Sequence, residues 1–326
     1  SEEKTQCMKI VFMGTPEFAV PSLDILLKNG YDVVGVVTAT DKPGGRGGKR
    51  LIQSAVKKYA LEKGLKVLQP PKLKAPEFLE ELSALKADLQ VVVAFRMLPE
   101  VVWNMPPLGT FNLHASLLPK YRGAAPINWA IIKGEKETGL TTFFIKHEID
   151  TGDLLFQEKL SIGENETAGE LHDRMMAKGA ELVLKTVKAI ESGNYELKRQ
   201  DESLVCHAPK IFHENCQIDF SQSTQDVHNF IQGLSPYPGA WTKVEVNHPS
   251  DGKQLLELKI FRTEKELAEH GFAPGALLSE NRKKFKVACA DGFVNVLELQ
   301  LAGRKRMDAA AFLNGYAEML NLQPVG

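Results

Sequence analysis

Short β-rich apolar runs alternate with amphipathic stretches through the first half of the chain, the pattern of βαβ units closing a mostly parallel sheet. Strands are expected near 8–13, 32–38, 66–69, 89–94, 109–115, 140–146 and 153–160. Helices are expected at 17–29 behind Pro16, at 53–63 up to Gly64, at 75–86, and at 126–133 up to Gly134. A longer helix opens on Thr167-Ala168-Gly169-Glu170, a capping box, and carries Leu171, Met175, Leu182, Val183, Val187 and Ile190 on one side until Gly193. The fold class is therefore α/β with a Rossmann-like sheet in a first domain at 1–193.

Periodicity fades over 194–214, which reads as a linker. Beyond it, in a second domain at 215–326, come a helix near 223–233 and a Pro236-Tyr237-Pro238-Gly239 turn. Strands are expected at 241–246, 254–262, 275–279, 284–289 and 293–299, with a last helix at 308–320. Five short strands fit a small β-barrel, with an OB-like fold the obvious form.

Composition narrows the class. A chain of 326 residues, 43% apolar and 25% charged, is neither disordered nor fibrous and is long enough for two domains. No run nears the ~18 apolar residues of a membrane span, and Ile10-Val11-Phe12-Met13 is too short for a signal-peptide core. A cytoplasmic protein is expected. Four cysteines without a C-x-x-C pair make no disulfide framework, and reduced thiols are expected. A net charge of −1 argues against a coat of nucleic acid. Basic clusters nevertheless stand at Lys42, Arg46, Lys49 and Arg50, at Arg282, Lys283, Lys284 and Lys286, and at Arg304, Lys305 and Arg306.

The most informative segment is Gly109-Thr-Phe-Asn-Leu-His-Ala-Ser-Leu-Leu-Pro119. Side chains alternate along a strand, so Asn112, His114 and Ser116 share one face. Strands of a parallel sheet bury apolar residues on both faces, and three polar groups at a carboxyl end are misplaced as packing. That end is also where open α/β sheets bind ligands. The plainer alternative is a core histidine hydrogen-bonded by its neighbours.

A tight turn, Ile149-Asp150-Thr151-Gly152-Asp153, follows the next strand and could bring Asp150 beside His114. Asn112 as donor, His114 as acid or cation, and Asp150 as the carboxylate that orients the imidazole suit a transfer through a tetrahedral intermediate. Ser116 has no evident route to a triad.

The basic loop Asp41-Lys-Pro-Gly-Gly-Arg-Gly-Gly-Lys-Arg50 is not a P-loop, because Pro43 and Arg50 stand where Gly and Ser or Thr are required. Gly14-Thr15-Pro16 is likewise no dinucleotide fingerprint. The loop reads as mobile and glycine-rich, either contacting a polyanion or merely solvated. Cys206, His207, His213 and Cys216 match no zinc-finger spacing, and no metal is expected. Trp129 and Trp241 read as packing residues, with Trp241 beside Tyr237 in the barrel region the alternative candidate for stacking on RNA.

Taken together, Met8-Lys-Ile-Val-Phe-Met-Gly-Thr-Pro-Glu-Phe-Ala19, the Gly-Arg-Gly loop at 45–47, and Asn112-x-His114-x-Ser116-Leu-Leu-Pro-x-x-Arg122-Gly-Ala-Ala-Pro-Ile127 resemble the methionyl-tRNA formyltransferases, within the 10-formyltetrahydrofolate-dependent formyltransferase family. Asp150-Thr-Gly-Asp153 and Leu301-Ala-Gly-Arg-Lys-Arg-Met307 complete the resemblance. It implies transfer of formyl from 10-formyltetrahydrofolate to the α-amino group of initiator methionyl-tRNA by a monomer. By position it implies Asn112, His114 and Asp150 as the catalytic trio and Ser116, Leu117, Leu118 and Pro119 as the folate-lining stretch. It implies tRNA contact through Lys42, Arg46, Lys49 and Arg50, and again through Arg304, Lys305 and Arg306 in the C-terminal domain. The sequence departs from the family at Ala94-Phe95-Arg96, where Ala-Tyr-Gly is usual. Competing readings are a sugar-nucleotide amine as acceptor, water as acceptor, and a tRNA-binding protein without turnover.

Overall fold

A computed structural model describes residues 8–325. Two compact units divide the chain. One takes the chain up to Gly123 with Thr138–Leu160 and His172–His207, and the other takes Ala124–Glu137, Ser161–Leu171 and the chain from Ala208 on.

In chain order the first elements are β1 Lys9–Gly14, α1 Val20–Lys28, β2 Asp32–Val37, the short strands β3 Lys42–Gly44 and β4 Arg50–Ile52, α2 Ala55–Glu62 and β5 Val67–Leu68. Then come α3 Pro76–Ala84, β6 Leu89–Val93, α4 Glu100–Trp103, β7 Thr110–His114, α5 Pro126–Ile132, β8 Glu137–Phe144, β9 Leu154–Ser161 and α6 Ala168–Ser192. Seven strands form one sheet in the order β5-β2-β1-β6-β7-β8-β9. Pairings from β5 to β7 are parallel, and β8 runs antiparallel to β7. The chain moves outward from β1 through β2 to β5, then returns to the other side of β1 with β6. That reversal falls between β1 and β6, and the carboxyl ends of strands at such a switch point are where open α/β sheets bind ligands.

Burial explains why these runs form strands. Ile10, Val11, Phe12 and Met13 of β1 have no exposed surface, as expected for a strand covered on both faces. The capping box of α6 forms as its residues require: Thr167 Oγ1 accepts from the Glu170 N–H at 3.2 Å, and Glu170 Oε1 accepts from the Thr167 N–H at 3.1 Å. Met175, Leu182, Val183, Val187 and Ile190 are buried along that helix.

Residues 39–52 differ from a featureless loop. Lys42 pairs with Ile52 and Gly44 with Arg50 in an antiparallel hairpin. Gly45, Gly47 and Gly48 all have positive φ, which lets so short a connection reverse. At its base Asp41 accepts from Lys57 Nζ at 2.9 Å and from Gln69 Nε2 at 2.9 Å.

The second unit continues with α7 Thr224–Leu234, β10 Ala240–His248, β11 Gly252–Leu267, β12 Leu277–Glu280, β13 Lys284–Cys289, β14 Gly292–Leu301, β15 Met307–Asp308, α8 Ala309–Tyr316 and β16 Gln323–Val325. The sheet path is β10-β11-β14-β13-β12-β16, with β15 on β14. Among the described residues no pair closes this path, and the sheet is a curled half-barrel. Register shifts around Arg262 bend the long strand β11, the usual way a sheet acquires curl. Val227, Ile231 and Leu234 of α7 join Leu258, Ile260, Phe285, Val294 and Phe312 in the core. The short pieces β15 and β16 have no alternating pattern of their own and were not expected from the sequence.

Buried His228 on α7 carries a pH dependence. Its Nδ1 lies 2.7 Å from Thr263 Oγ1, and burial, with Lys265 adding repulsion and Glu164 opposing it, pushes its pKa down to about 4. The unfolded chain takes up this proton near pH 6.5, whereas the folded chain refuses it until about pH 4. Stability from this group is therefore complete above pH 6.5 and falls by up to about 3 kcal/mol as the pH drops towards 4. Denaturant unfolding at pH 7.5 and 4.5 is expected to show a smaller acid loss in His228→Gln than in the parent chain; equal losses would refute it.

Candidate active site

β7 carries Asn112 and His114 on one face, as alternation requires. Its neighbours place Val92 and Phe143 beside Asn112, and Thr141 beside His114. His114 is buried and Asn112 half-buried. The Asn112 amide makes no hydrogen bond among the described residues.

After β7 the chain turns sharply, and a closed network holds the turn. Ser116 Oγ donates to the Lys120 carbonyl at 2.6 Å. Thr141 Oγ1 donates to the Ser116 carbonyl at 2.7 Å and accepts from the Leu118 N–H at 3.2 Å. Gln157 Nε2 donates to the Leu118 carbonyl at 2.9 Å. The Leu118-Pro119 bond is cis. Ser116, Leu118 and Pro119 are buried, with Leu118 packed on Phe143 and Leu154, and Leu117 is half-buried. Of these four residues Leu117 is the most accessible.

The turn places Tyr121 so that its carbonyl lies 2.8 Å from His114 Nε2. A carbonyl only accepts, so Nε2 carries a proton. Nδ1 faces Asp150 Oδ1 at 3.7 Å, longer than a hydrogen bond. Asp150 Oδ2 accepts from the Gly123 N–H at 2.9 Å. Nδ1 therefore faces a carboxylate across a gap that no hydrogen bond closes. The predicted trio is assembled as a group: Asn112 and His114 by strand period, and Asp150 by the turn between β8 and β9.

Residues outside the expected set hold this geometry. Gln200 Nε2 donates to the carbonyls of Asp150 and Gly152 at 2.7 and 2.8 Å. Gln200 Oε1 accepts from Arg122 Nη2 at 2.8 Å. Arg122 had a signal in the Arg-Gly-Ala-Ala-Pro run; Gln200, in an aperiodic polar stretch, had none.

The basic residues divide. Lys42, Arg46, Lys49 and Arg50 are all exposed on the hairpin, which also exposes Leu51 and Ile52. In the second unit Lys305 is exposed, the Arg304 guanidinium lies 5.4 Å from the Tyr316 ring centre, and Arg306 pairs with Glu298 and covers the Phe261 ring. Lys286 is buried between Glu266 and Glu280, each 2.7 Å away, and is not available to a polyanion. Its ammonium, desolvated but held by both carboxylates, has its pKa raised. Arg96 donates to the carbonyls of Pro70 and Pro71 and stacks on Phe95. Among the described residues no cluster of three His, Cys, Asp or Glu side chains is arranged to hold a metal ion. Cys206 Sγ instead accepts from the Tyr121 N–H at 3.3 Å.

Residues 8–187 match the family model described as formyl transferase, and residues 210–317 match formyl transferase, C-terminal domain. A methionyl-tRNA formyltransferase from Parabacteroides distasonis is 53% identical over 321 residues, covering 97% of this chain and 98% of the relative. This chain belongs to the methionyl-tRNA formyltransferase family. It is an enzyme of formyl transfer. The relative of the same name from Flavobacterium johnsoniae is 52% identical over 309 residues, covering 94% and 96% of the two chains.

Solved structures agree on the fold. An N-formyltransferase from Helicobacter canadensis, in complex with folinic acid and dTDP-3-aminofucose, aligns with TM-score 0.65 at 22% identity over 92% of this chain and 100% of that one. HypX from Aquifex aeolicus in complex with tetrahydrofolic acid aligns with TM-score 0.63 at 18% identity over 98% of this chain and 49% of that one. At such identities the likeness is one of fold and does not select an acceptor.

Proposed function

We propose that this chain transfers the formyl group of 10-formyltetrahydrofolate to the α-amino group of methionyl initiator tRNA, with Asn112, His114 and Asp150 as the catalytic residues. The observation that carries the chemistry is His114 Nδ1, 3.7 Å from Asp150 and without a hydrogen bond, beside an Asn112 amide with no hydrogen-bond partner among the described residues. An amide donor and an imidazole nitrogen left over at the carboxyl end of a sheet strand suit an oxygen that gains charge. The formyl oxygen is such an atom.

The neutral amine attacks the formyl carbon, and a carbon–nitrogen bond forms. Asn112 donates to the formyl oxygen as its charge grows, and His114 donates to it from Nδ1 when that nitrogen is protonated. Asp150 Oδ1, the carboxylate oxygen turned towards the imidazole, takes the proton released from the attacking nitrogen. That proton goes to the donor's nitrogen as its bond to the formyl carbon breaks. The Tyr121 carbonyl keeps the imidazole oriented throughout, and the Gly123 N–H keeps the carboxylate oriented.

Acceptor choice rests on relatives at about half identity over nearly the whole chain. The exposed hairpin supports it, because four cations without ion pairs among the described residues suit an RNA backbone. Lys305 and Arg304 offer a second basic surface, with Arg306 already paired to Glu298. The first unit is read as the transferase domain and the second as the tRNA-contacting one.

The test is transfer of labelled formyl from 10-formyltetrahydrofolate to charged initiator tRNA, beside a sugar-nucleotide amine and water. Incorporation into tRNA is expected, falling with added salt as released counterions dictate. With tRNA limiting, Arg46→Ala is expected to slow transfer and leave folate affinity unchanged. Formyl moved only to the sugar amine, or only to water, would overturn the acceptor.

A further inference from the structure

We propose that Arg122 and Gln200 form a brace that positions His114 and Asp150 for formyl transfer, an inference that rests on the catalytic reading above. Among the described residues neither side chain bonds to His114 or to the Asp150 carboxylate; each acts through the backbone that carries them.

Arg122 lies between the two residues that hold the pair. Tyr121 gives its carbonyl to His114 Nε2, and Gly123 gives its N–H to Asp150 Oδ2. The spacing of these two main-chain groups therefore sets the distance between imidazole and carboxylate. The Arg122 side chain turns away and meets Gln200, with Nε and Nη2 at 3.2 and 2.8 Å from Oε1. Gln200 then uses its amide nitrogen on the carbonyls of Asp150 and Gly152, the turn that presents the carboxylate. A continuous path joins the residue next to both anchors with the main chain of Asp150 itself.

Three observations separate a brace from ordinary packing. Both side chains are 8% exposed, so their bonds form in a medium of low polarity where they are strong. The outer end is closed by Glu202, which takes Arg122 Nη1 and Nη2 in a fork at 3.2 and 2.8 Å and whose carboxyl is held below its usual range by that guanidinium. Finally, Tyr121 and Asp150 both have φ of +58°, a left-handed conformation that a side chain other than glycine adopts only when its surroundings impose it. They are two of seven non-glycine residues with positive φ among the described residues, and each faces a ring nitrogen of His114. The Arg122 N–H adds a bond to the Cys206 carbonyl at 3.0 Å, so this segment is tied at its main chain as well.

Kinetics and His114 titration test the brace together. Gln200→Met keeps the volume and removes every bond; kcat is expected to fall about 10- to 100-fold, as for a small misplacement of reacting groups, with KM for tRNA and folate unchanged. Gln200→Glu still accepts from Arg122 but no longer donates to the two carbonyls. It is expected to recover melting temperature without recovering kcat, and recovery of both would overturn the proposal. In an Asp150→Asn background Gln200→Met is expected to cost nothing further, whereas an equal further loss would show that Gln200 does not act through Asp150. The titration midpoint of His114, read by NMR on histidine-labelled chain and assigned by its loss in His114→Ala, is expected to move in Gln200→Met. A moved midpoint in a chain whose parent transfers no formyl to any acceptor would sink the catalytic reading and leave the brace. An unmoved midpoint with normal kcat would sink the brace alone.

Discussion

Alanine at His114 is expected to lower formyl transfer about 10²- to 10³-fold, the usual cost of losing one donor to a developing oxyanion. The loss has two sources. The imidazole nitrogen directed at the substrate oxygen disappears, and Asp150 Oδ1 loses the ring it faces at 3.7 Å. His114 is also buried against Tyr121, so its removal leaves the Tyr121 carbonyl without its partner and costs stability as well. Asn112→Ala gives the cleaner measurement. Its amide makes no hydrogen bond among the described residues, so turnover should fall by the same order while the melting temperature holds. Steady-state transfer rates and thermal melts on the two variants decide the matter. Near-normal turnover in Asn112→Ala would remove Asn112 from the mechanism. Because the groups act as a unit, the His114→Ala, Asp150→Ala double variant should lose far less than the product of the single losses.

Gly152→Ala is expected to disable the site from a position that carries no chemistry. A Cβ there would stand 1.6 Å from the Phe144 carbonyl oxygen and 2.8 Å from the Phe144 carbonyl carbon, both backbone atoms that cannot rotate away. The turn must move instead. Its movement draws Asp150 away from His114 and the Gly152 carbonyl away from Gln200 Nε2. Overpacking of this kind costs about 1–3 kcal/mol of stability, and a misplaced carboxylate should lower kcat about 100-fold. Denaturant unfolding and transfer kinetics on the same preparation check both parts. A variant with normal kcat would mean that the turn need not hold its present geometry.

The central strands β1 and β6 were legible because each is a mostly apolar run, and burial on both faces leaves such a run no other role. Asn112 and His114 were legible for the converse reason: polar side chains two apart on one strand face contradict that burial and call for a function. The hairpin at 42–52 was not legible, because Gly45, Gly47 and Gly48 permit many turns and only their positive φ values select this one. Among the basic residues, sequence offered charge without partners. Folding withdraws Lys286 into two carboxylates and pairs Arg306 with Glu298, while Lys42, Arg46, Lys49 and Arg50 of the hairpin stay exposed, as do Arg282, Lys283 and Lys284.

What the sequence determined by itself was therefore periodic and local: the alternation of strands and helices, the α6 capping box, the shared face of Asn112 and His114, and the kinship carried by its motifs. Tertiary structure alone decided the 3.7 Å approach of Asp150 to His114, the proton on Nε2 opposite the Tyr121 carbonyl, and the link from Arg122 to Gln200 across 78 positions of chain. Local propensity acts over a few residues and leaves a repeat that can be read along the chain. Contacts between distant segments depend on how strands order in the sheet and how turns aim their backbone groups, and they leave no such period behind.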